Sequence, residues 1–206
     1  MVEELSRVAQ YDQASGRWRD KMRALGYYDA YLGFLSEPGP KVAEPARVID
    51  AGSGSGAFAE AWVAVNGTPS ELVLLDPSEQ MLARGQAALA RYGVTPRTVA
   101  SRIEDANALS GADEVLAAHV IEHSDAPLTL LGQLRDLVRP GGRLRLVVSK
   151  PHWCNAIIWL KWRHHSYPPS DFRELLGQAG LELESEYAFP AGPPSRTSRG
   201  YVARIA

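Results

Sequence analysis

The residues best equipped for chemistry fall in three short stretches. The first is Val48-Ile-Asp-Ala-Gly-Ser-Gly-Ser-Gly-Ala57, with glycines at 52, 54 and 56 just after Asp50. Glycine permits positive φ and lets a ligand lie directly on backbone. Amides at the start of a following helix favour anionic groups. Asp76, 24 residues beyond Gly52, closes a second apolar run. A carboxylate there can accept hydrogen bonds from both hydroxyls of a ribose. The second stretch is His119-Val-Ile-Glu-His123. Imidazole and carboxylate can move a proton or ligate a metal. The third runs from His152 to Tyr167 and holds Trp153, Trp159, Trp162, His164 and His165. Aromatic faces there would bind a flat or cationic molecule, with an imidazole to orient it. Its plainer reading is a short amphipathic helix packed on the domain.

Gly52-x-Gly54-x-x-Ala57 also fits the dinucleotide fingerprint G-x-G-x-x-G/A, with Asp76 as its acid. Two features weigh against a dehydrogenase. Asp50, two residues before the first glycine, suits a cationic amine better than a pyrophosphate. The roughly 150 residues after the loop leave little room for a second nucleotide-binding half and a catalytic domain.

These residues need elements to position them. Apolar periodicity predicts helix over residues 5–35, broken at Gly16 and Gly26. A breaker-rich connector follows, from Glu37 to Pro45. Strands are expected at 47–50, 71–76, 96–100, 114–118 and 144–148. Helices are expected at 57–65, ending at Asn66-Gly67; at 78–92, with Ser78 as N-cap and Gly93 as stop; and from a Ser124 or Asp125 cap to Val138. Pro140-Gly-Gly142 reads as a turn. Strands alternating with helices imply a parallel sheet covered on both faces. Ser170 is read as the cap of a helix over 171–178, closed by Gly180. Two strands, 181–189 and 200–205, follow with a Pro-rich loop between them, so they should pair antiparallel.

Composition sets the outer limits. The 206 residues predict one domain, with 22 basic against 24 acidic side chains. A net charge of −2 argues against a nucleic-acid footprint and against a polyanionic partner. The single cysteine, Cys154, excludes an internal disulfide framework and a cysteine-rich zinc site. The acidic start lacks the features of a signal peptide, and no apolar run approaches a membrane span. The expectation is a soluble, cytoplasmic protein.

The motifs together resemble the class I S-adenosylmethionine-dependent methyltransferases, of the small-molecule, quinone-pathway-like type. Four segments carry the resemblance: Val48–Gly56, Leu74-Leu-Asp-Pro-Ser78, Ala118–Ser124 and Leu137-Val-Arg-Pro-Gly-Gly-Arg-Leu144. It implies an α/β, Rossmann-like, seven-stranded and mostly parallel sheet with an antiparallel last strand and helices on both faces. It implies S-adenosylmethionine as cofactor, with Asp50 near the methionine amine and Gly52, Ser53, Gly54 and Gly56 as its floor. Asp76 would take the ribose, Pro77 and Met81 the adenine face, and Ile103 and Glu104 the adenine edge. His119 and Val120 would lie beneath the methionine portion, and Tyr11 would close over it. His119, Glu122 and His123 are the catalytic candidates, as a general base or as a loop held by hydrogen bonds. Some quinone-pathway relatives place a metal between the Glu, the His and an acid three residues before the Glu. His119 occupies that first position here, and no metal is expected.

The chain then divides into an N-terminal helical cap (1–45), a cofactor-binding core (46–150) and a C-terminal part (151–206) with the acceptor insertion, a helix and the hairpin. Trp18, His152, Trp153, Trp159, Trp162 and Tyr167 are expected to line the acceptor site. Tyr11, Trp18, Tyr27, Tyr28 and Tyr31 would cover the opposite wall. The expected partner is a small molecule, aromatic or cationic, with no nucleic acid and no membrane contact, in a monomer or dimer. The reaction expected is methyl transfer to an O, N or C atom. The alternatives are an adenosine-ligand module without chemistry and an NAD-dependent oxidoreductase.

Overall fold

Arg47–Ala51 and Glu71–Asp76 are apolar on both sides of the chain, as strands covered by helices on both faces must be. They form β1 and β2 in the computed structural model, which describes residues 20–37, 46–106, 108–152 and 165–205. The other strands are β3 (Arg97–Ala100), β4 (Ala112–Ala118), β5 (Val138–Ser149), β6 (Leu181–Tyr187) and β7 (Ser198–Ile205). The helices are α1 (Tyr27–Leu35), α2 (Ala57–Asn66), α3 (Glu79–Leu89), α4 (Pro127–Leu137), α5 (Pro169–Gln178) and α6 (Gly192–Thr197). No helix among the described residues is long and apolar enough to cross a membrane.

The strands form one sheet in the order β3-β2-β1-β4-β5-β7-β6. Strands β1 to β5 pair in parallel, and β7 inserts antiparallel between β5 and β6. The antiparallel closing hairpin is therefore as expected. On one face α1, α2 and α3 pack through Phe34, Phe58, Trp62 and Leu82. On the other, α4 and α5 pack through Leu131, Leu134, Phe172 and Leu176. The chain runs outward from β1 to β3 and returns to β4 on the other side of β1. The carboxyl ends of β1 and β4 thus flank the reversal point, where ligands of such sheets bind.

Several elements depart from the sequence reading. Strand β5 starts at Val138 and runs through Pro140-Gly-Gly142, where a turn is expected. A register shift between Ala112 and Glu114 absorbs the mismatch. A side chain on Gly142 would lie 2.8 Å from the carbonyl oxygens of both Ala112 and Asp113, so its absence lets the strands approach. Helix α4 begins at Pro127 after Ala126, which provides no side-chain cap. Ser124 Oγ instead accepts from the Ala126 amide at 3.1 Å, a local turn that precedes the helix. Helix α5 begins at Pro169, and Ser170 donates to Asp171 Oδ1 rather than capping. The Pro-rich loop contains α6, since proline's fixed φ suits a first helical turn. Residues 20–24 and α1 are helical, and Gly26 breaks them at φ 83°.

Candidate active site

The glycine loop sits between β1 and α2. Gly52, Gly54 and Gly56 all have positive φ, at 69°, 49° and 74°. The amides of Gly52 and Ser53 donate to Leu75 O at 2.8 and 3.0 Å, which ties the loop to the end of β2. A Cβ on Gly52 would fall 2.5 Å from Val120 Cγ2, so the loop lies flush against the turn after β4. A Cβ on Gly56 would come to 3.0 Å of the Gly85 backbone, so the start of α2 lies close against the middle of α3. Gly54 meets nothing within 4 Å, and its backbone is open to a ligand. Ser53 Oγ is buried with no hydrogen-bond partner among the described residues.

Two carboxylates frame this loop. Asp76 Oδ2 accepts from the Gly54 amide at 2.8 Å, and Oδ1 accepts from the Ser78 amide at 2.9 Å. Ser78 caps α3 as expected, its Oγ accepting from the Met81 amide at 3.2 Å. Asp50 is 1% exposed and accepts from the Ala59 amide at 3.1 Å, bracing the start of α2. Burial pushes its pKa up to about 7; the Ala59 amide opposes that rise and the Asp76 charge adds to it.

The turn after β4 is the third component. His119 has φ 58°, the sole positive value for a non-glycine among the described residues. Its amide donates to Val147 O at 2.8 Å, continuing the β4–β5 ladder. Nδ1 lies 3.1 Å from Glu122 Oε1 and 3.2 Å from Ser149 Oγ. Nε2 is buried and has no partner among the described residues. Glu122 is fully buried, and its Oε1 also accepts from the Ser149 amide at 2.6 Å. The Tyr27 ring meets the imidazole edge-on at 5.5 Å, and its hydroxyl bonds Thr197 Oγ1 at 2.9 Å. Burial raises the Tyr31 phenol beyond its ordinary range, and the charges of Tyr27, Asp50 and Glu122 add to the rise.

The expected site residues separate into groups. Asp50, Gly52, Ser53, Gly54, Gly56, Asp76, His119, Val120 and Glu122 converge at the carboxyl ends of β1, β2 and β4. Met81 is buried in the first turn of α3, and Pro77 is exposed just before it. Ile103 is buried in the apolar core, whereas Glu104 is exposed and pairs with Arg102 at 3.5 Å. His123 is exposed, whereas Glu122 is buried and His119 half-buried. Tyr167 packs on Phe172 at 5.8 Å and is half-buried against the core. Its phenol is raised by burial and by the Glu122 charge. Its amide donates to Ser149 O, and the His165 amide donates to Glu122 O, so this segment is tied to the same turn. His152 is half-buried. Tyr11, Trp18, Trp153, Cys154, Trp159, Trp162 and His164 lie outside the described residues.

Ser149 and Thr197 join the site without having been anticipated. The signal for Ser149 lies in strand pairing. Ala118 faces Val147 across β4 and β5, so the residues following each strand meet at one edge. Thr197 depends on β7 inserting beside β5, which spacing alone does not reveal.

The glycine loop at the reversal point, the acids ending β1 and β2 and the inserted seventh strand define a class I methyltransferase architecture. Residues 49–144 match the family described as a methyltransferase domain. A curated relative, the ubiquinone biosynthesis O-methyltransferase of Dinoroseobacter shibae, is 30% identical over 154 residues, 66% of this chain and 60% of that protein. The chain thus spans less than two thirds of that relative's length. Among solved structures, the 1,6-didemethyltoxoflavin-N1-methyltransferase of Burkholderia thailandensis shares the fold at TM-score 0.76 and 19% identity, over 99% of this chain and 90% of that one. A putative methyltransferase complexed with the Haloferax volcanii Trm112 activator gives TM-score 0.75 at 19% identity, over 95% and 97% of the two chains. Residues 49–144 thus match a methyltransferase domain, and the fold around them is that of solved methyltransferases.

Proposed function

We propose that this chain is a single cytoplasmic domain that transfers a methyl group from S-adenosylmethionine to an O, N or C atom of a small-molecule acceptor. The observation that carries the reading is the pairing of Asp76 with an open Gly54 backbone at the reversal point of the sheet. Asp76 Oδ2 takes the Gly54 amide and Oδ1 the Ser78 amide, which fixes a carboxylate beside the open loop, where a ribose hydroxyl would donate to it. The unpartnered Ser53 hydroxyl supports a polar ligand lying on the loop.

In this reading Gly52, Ser53, Gly54 and Gly56 form the floor of the site and Asp50 faces the methionine ammonium. Pro77, Met81, Ile103 and Glu104 surround the adenine, and Val120 and His119 underlie the methionine arm. When bound, S-adenosylmethionine supplies a methyl carbon already attached to a positively charged sulfur, an electrophile needing no further activation. The protein's task is to hold an acceptor atom in line and keep water away. Tyr27, whose ring meets His119, and the half-buried Tyr167 supply aromatic surface beside that site, which suits a flat or cationic acceptor. A net charge of −2 disfavours nucleic acid as the acceptor. The reading holds for a monomer or a dimer, and it uses no metal.

Calorimetry with S-adenosylhomocysteine and NAD separates the readings. We expect micromolar binding of S-adenosylhomocysteine and none of NAD. The reverse pattern would replace a methyltransferase with an oxidoreductase. Cofactor binding with no methylated product from any acceptor would leave an adenosine-ligand module.

A further inference from the structure

Two guanidinium groups crowd the Glu186 carboxylate on β6, and only one of them is bonded to it. Arg173 donates to its Oε1, with a second nitrogen 3.4 Å from Oε2. Arg199 Nη1 stands 3.9 Å from that Oε2, beyond hydrogen-bond distance. Arg199 Nε is buried and has no hydrogen-bond partner among the described residues. A guanidinium nitrogen closed off from water and left without an acceptor is costly, and such groups are rare in folded proteins.

Strand pairing sets a second cation beside Arg199. Arg199 faces Val148 across β5 and β7, and Ser198 faces Ser149. The Lys150 amide donates to Thr197 O at 2.9 Å, which carries the ladder one residue further. Lys150 is therefore the diagonal neighbour of Arg199, on the side of the sheet that Val148 faces. Lys150 Nζ donates to Ser195 O at 2.8 Å, a neutral acceptor. Burial lowers the pKa of the Lys150 ammonium, and the Arg199 charge lowers it further. Both cations adjoin the candidate active site through Ser149, the residue between Val148 and Lys150. Ser149 Oγ lies 3.2 Å from His119 Nδ1, and Ser149 O accepts the Tyr167 amide.

We propose that Arg199 and Lys150 together bind a carboxylate on the methyl acceptor, so that the acceptor is a flat anion rather than a cation. This rests on the methyl-transfer reading above. A carboxylate carries two coplanar oxygens, which match the Nε–H and Nη–H of one guanidinium. It supplies the acceptor that Arg199 Nε lacks, and its charge offsets the repulsion between Arg199 and Lys150. Glu186 cannot serve in its place, because Arg173 already holds it. A cationic acceptor would instead meet two positive charges in half-buried surroundings, where they are poorly screened. The half-buried Tyr167 ring offers a flat molecule aromatic surface between this pair and the turn after β4. Arg199 and Lys150 anchor one end of the acceptor and set which molecule enters; neither acts on the atom that receives the methyl.

The test is nitrogen NMR of the arginine and histidine side chains in protein saturated with S-adenosylhomocysteine, titrated with benzoate, benzamide or benzylamine. Arg199→Lys identifies the Arg199 Nε–H signal, and His119→Asn identifies the imidazole, since asparagine tolerates that backbone conformation. We expect benzoate to shift both signals, and benzamide and benzylamine to leave Arg199 in place. Arg199→Lys keeps the charge but loses the fork, and should weaken benzoate binding by about tenfold or more. Lys150→Met should weaken it by a smaller factor. If a variant does not fold, the wild-type shifts still decide. No shift at Arg199, an equal shift from benzamide, or unchanged affinity in both variants would overturn the site. Equal affinity for benzoate and inorganic phosphate would mean an adventitious ion only, and would overturn it too. A shift at Arg199 without one at His119 would put the anion away from the acceptor edge and overturn the acceptor class. Failure to bind S-adenosylhomocysteine would strike the methyl-transfer reading instead, because the Arg199 signal also reports benzoate in the free protein.

Discussion

The Gly54 amide donates to Asp76 Oδ2 at 2.8 Å, joining the loop after β1 to the end of β2. The carboxylate proposed for the ribose therefore also shapes the surface on which the ligand lies. Removing it should cost twice, once through the ligand contact and once through the loop. We expect Asp76→Ala to weaken S-adenosylhomocysteine binding by about 1–3 kcal/mol, or roughly 5- to 150-fold. Calorimetry measures this. Unchanged affinity would mean that the ribose lies elsewhere.

The three loop glycines should not respond alike to alanine. Gly52→Ala forces a methyl to 2.5 Å from Val120 Cγ2 and strains φ at 69°. Gly54→Ala shares the positive φ but meets open space. We expect Gly52→Ala to lose about 2–4 kcal/mol of stability, from both overpacking and backbone strain. Gly54→Ala should lose about 1 kcal/mol or slightly more, from backbone conformation alone, yet should impair ligand binding by covering the loop. Thermal melts with and without S-adenosylhomocysteine separate the two effects. Adding Val120→Ala to Gly52→Ala should recover only the steric part. Equal losses of stability at Gly52 and Gly54 would contradict the packing described.

Asp50 should make stability depend on pH in a definite direction. Its folded pKa of about 7 lies above the ordinary value of 3.8, so the native state binds the proton more tightly than the unfolded chain. Stability should then fall as pH rises from about 4 through 7, by up to about 4 kcal/mol from this group. Asp50→Asn lacks that titration but weakens the bond to the Ala59 amide. Urea denaturation of both proteins at pH 5 and pH 8 tests this. The variant should gain on the wild type as pH rises. A constant difference between the two proteins would show that the carboxyl is not held protonated.

Beneath the site, Glu114 is 1% exposed and bonds Trp62 Nε1 at 2.7 Å and Arg145 Nε at 2.9 Å. It clamps α2 to β4 and β5, and so supports the glycine loop from below. Glu114→Ala strands a mostly buried arginine and an indole N–H, and should destabilise by about 3–5 kcal/mol. Glu114→Gln keeps an acceptor for Trp62 and should cost less. Chemical denaturation gives the order, and equal costs would show that the retained acceptor for Trp62 contributes nothing.

The sheet was legible because its information is local. The apolar runs at Val48–Asp50 and Leu72–Leu75 and the glycines after the first specify a strand–loop–helix unit with few alternatives. Asp50, Asp76 and His119 could be picked out because each follows an apolar run at the same edge. The start of β5 was misread because Pro140-Gly-Gly142 has turn chemistry, and only pairing with Ala112 draws it into the sheet. His119 and His123 looked equivalent in sequence. A single 3-10 turn, Ile121–His123, buries Glu122 and leaves His123 exposed, and that distinction depends on backbone geometry rather than residue type. Ser149, Thr197 and the Tyr27 contact are long-range, arising from strand neighbours and a helix distant in sequence.

The most direct measurement is a crystal structure with S-adenosylhomocysteine bound. The account predicts ribose hydroxyls on Asp76, the methionine arm over Gly52 to Gly54, and the sulfur beside Val120 and His119. A ligand bound away from the glycine loop, or an adenosine whose ribose ignores Asp76, would contradict it.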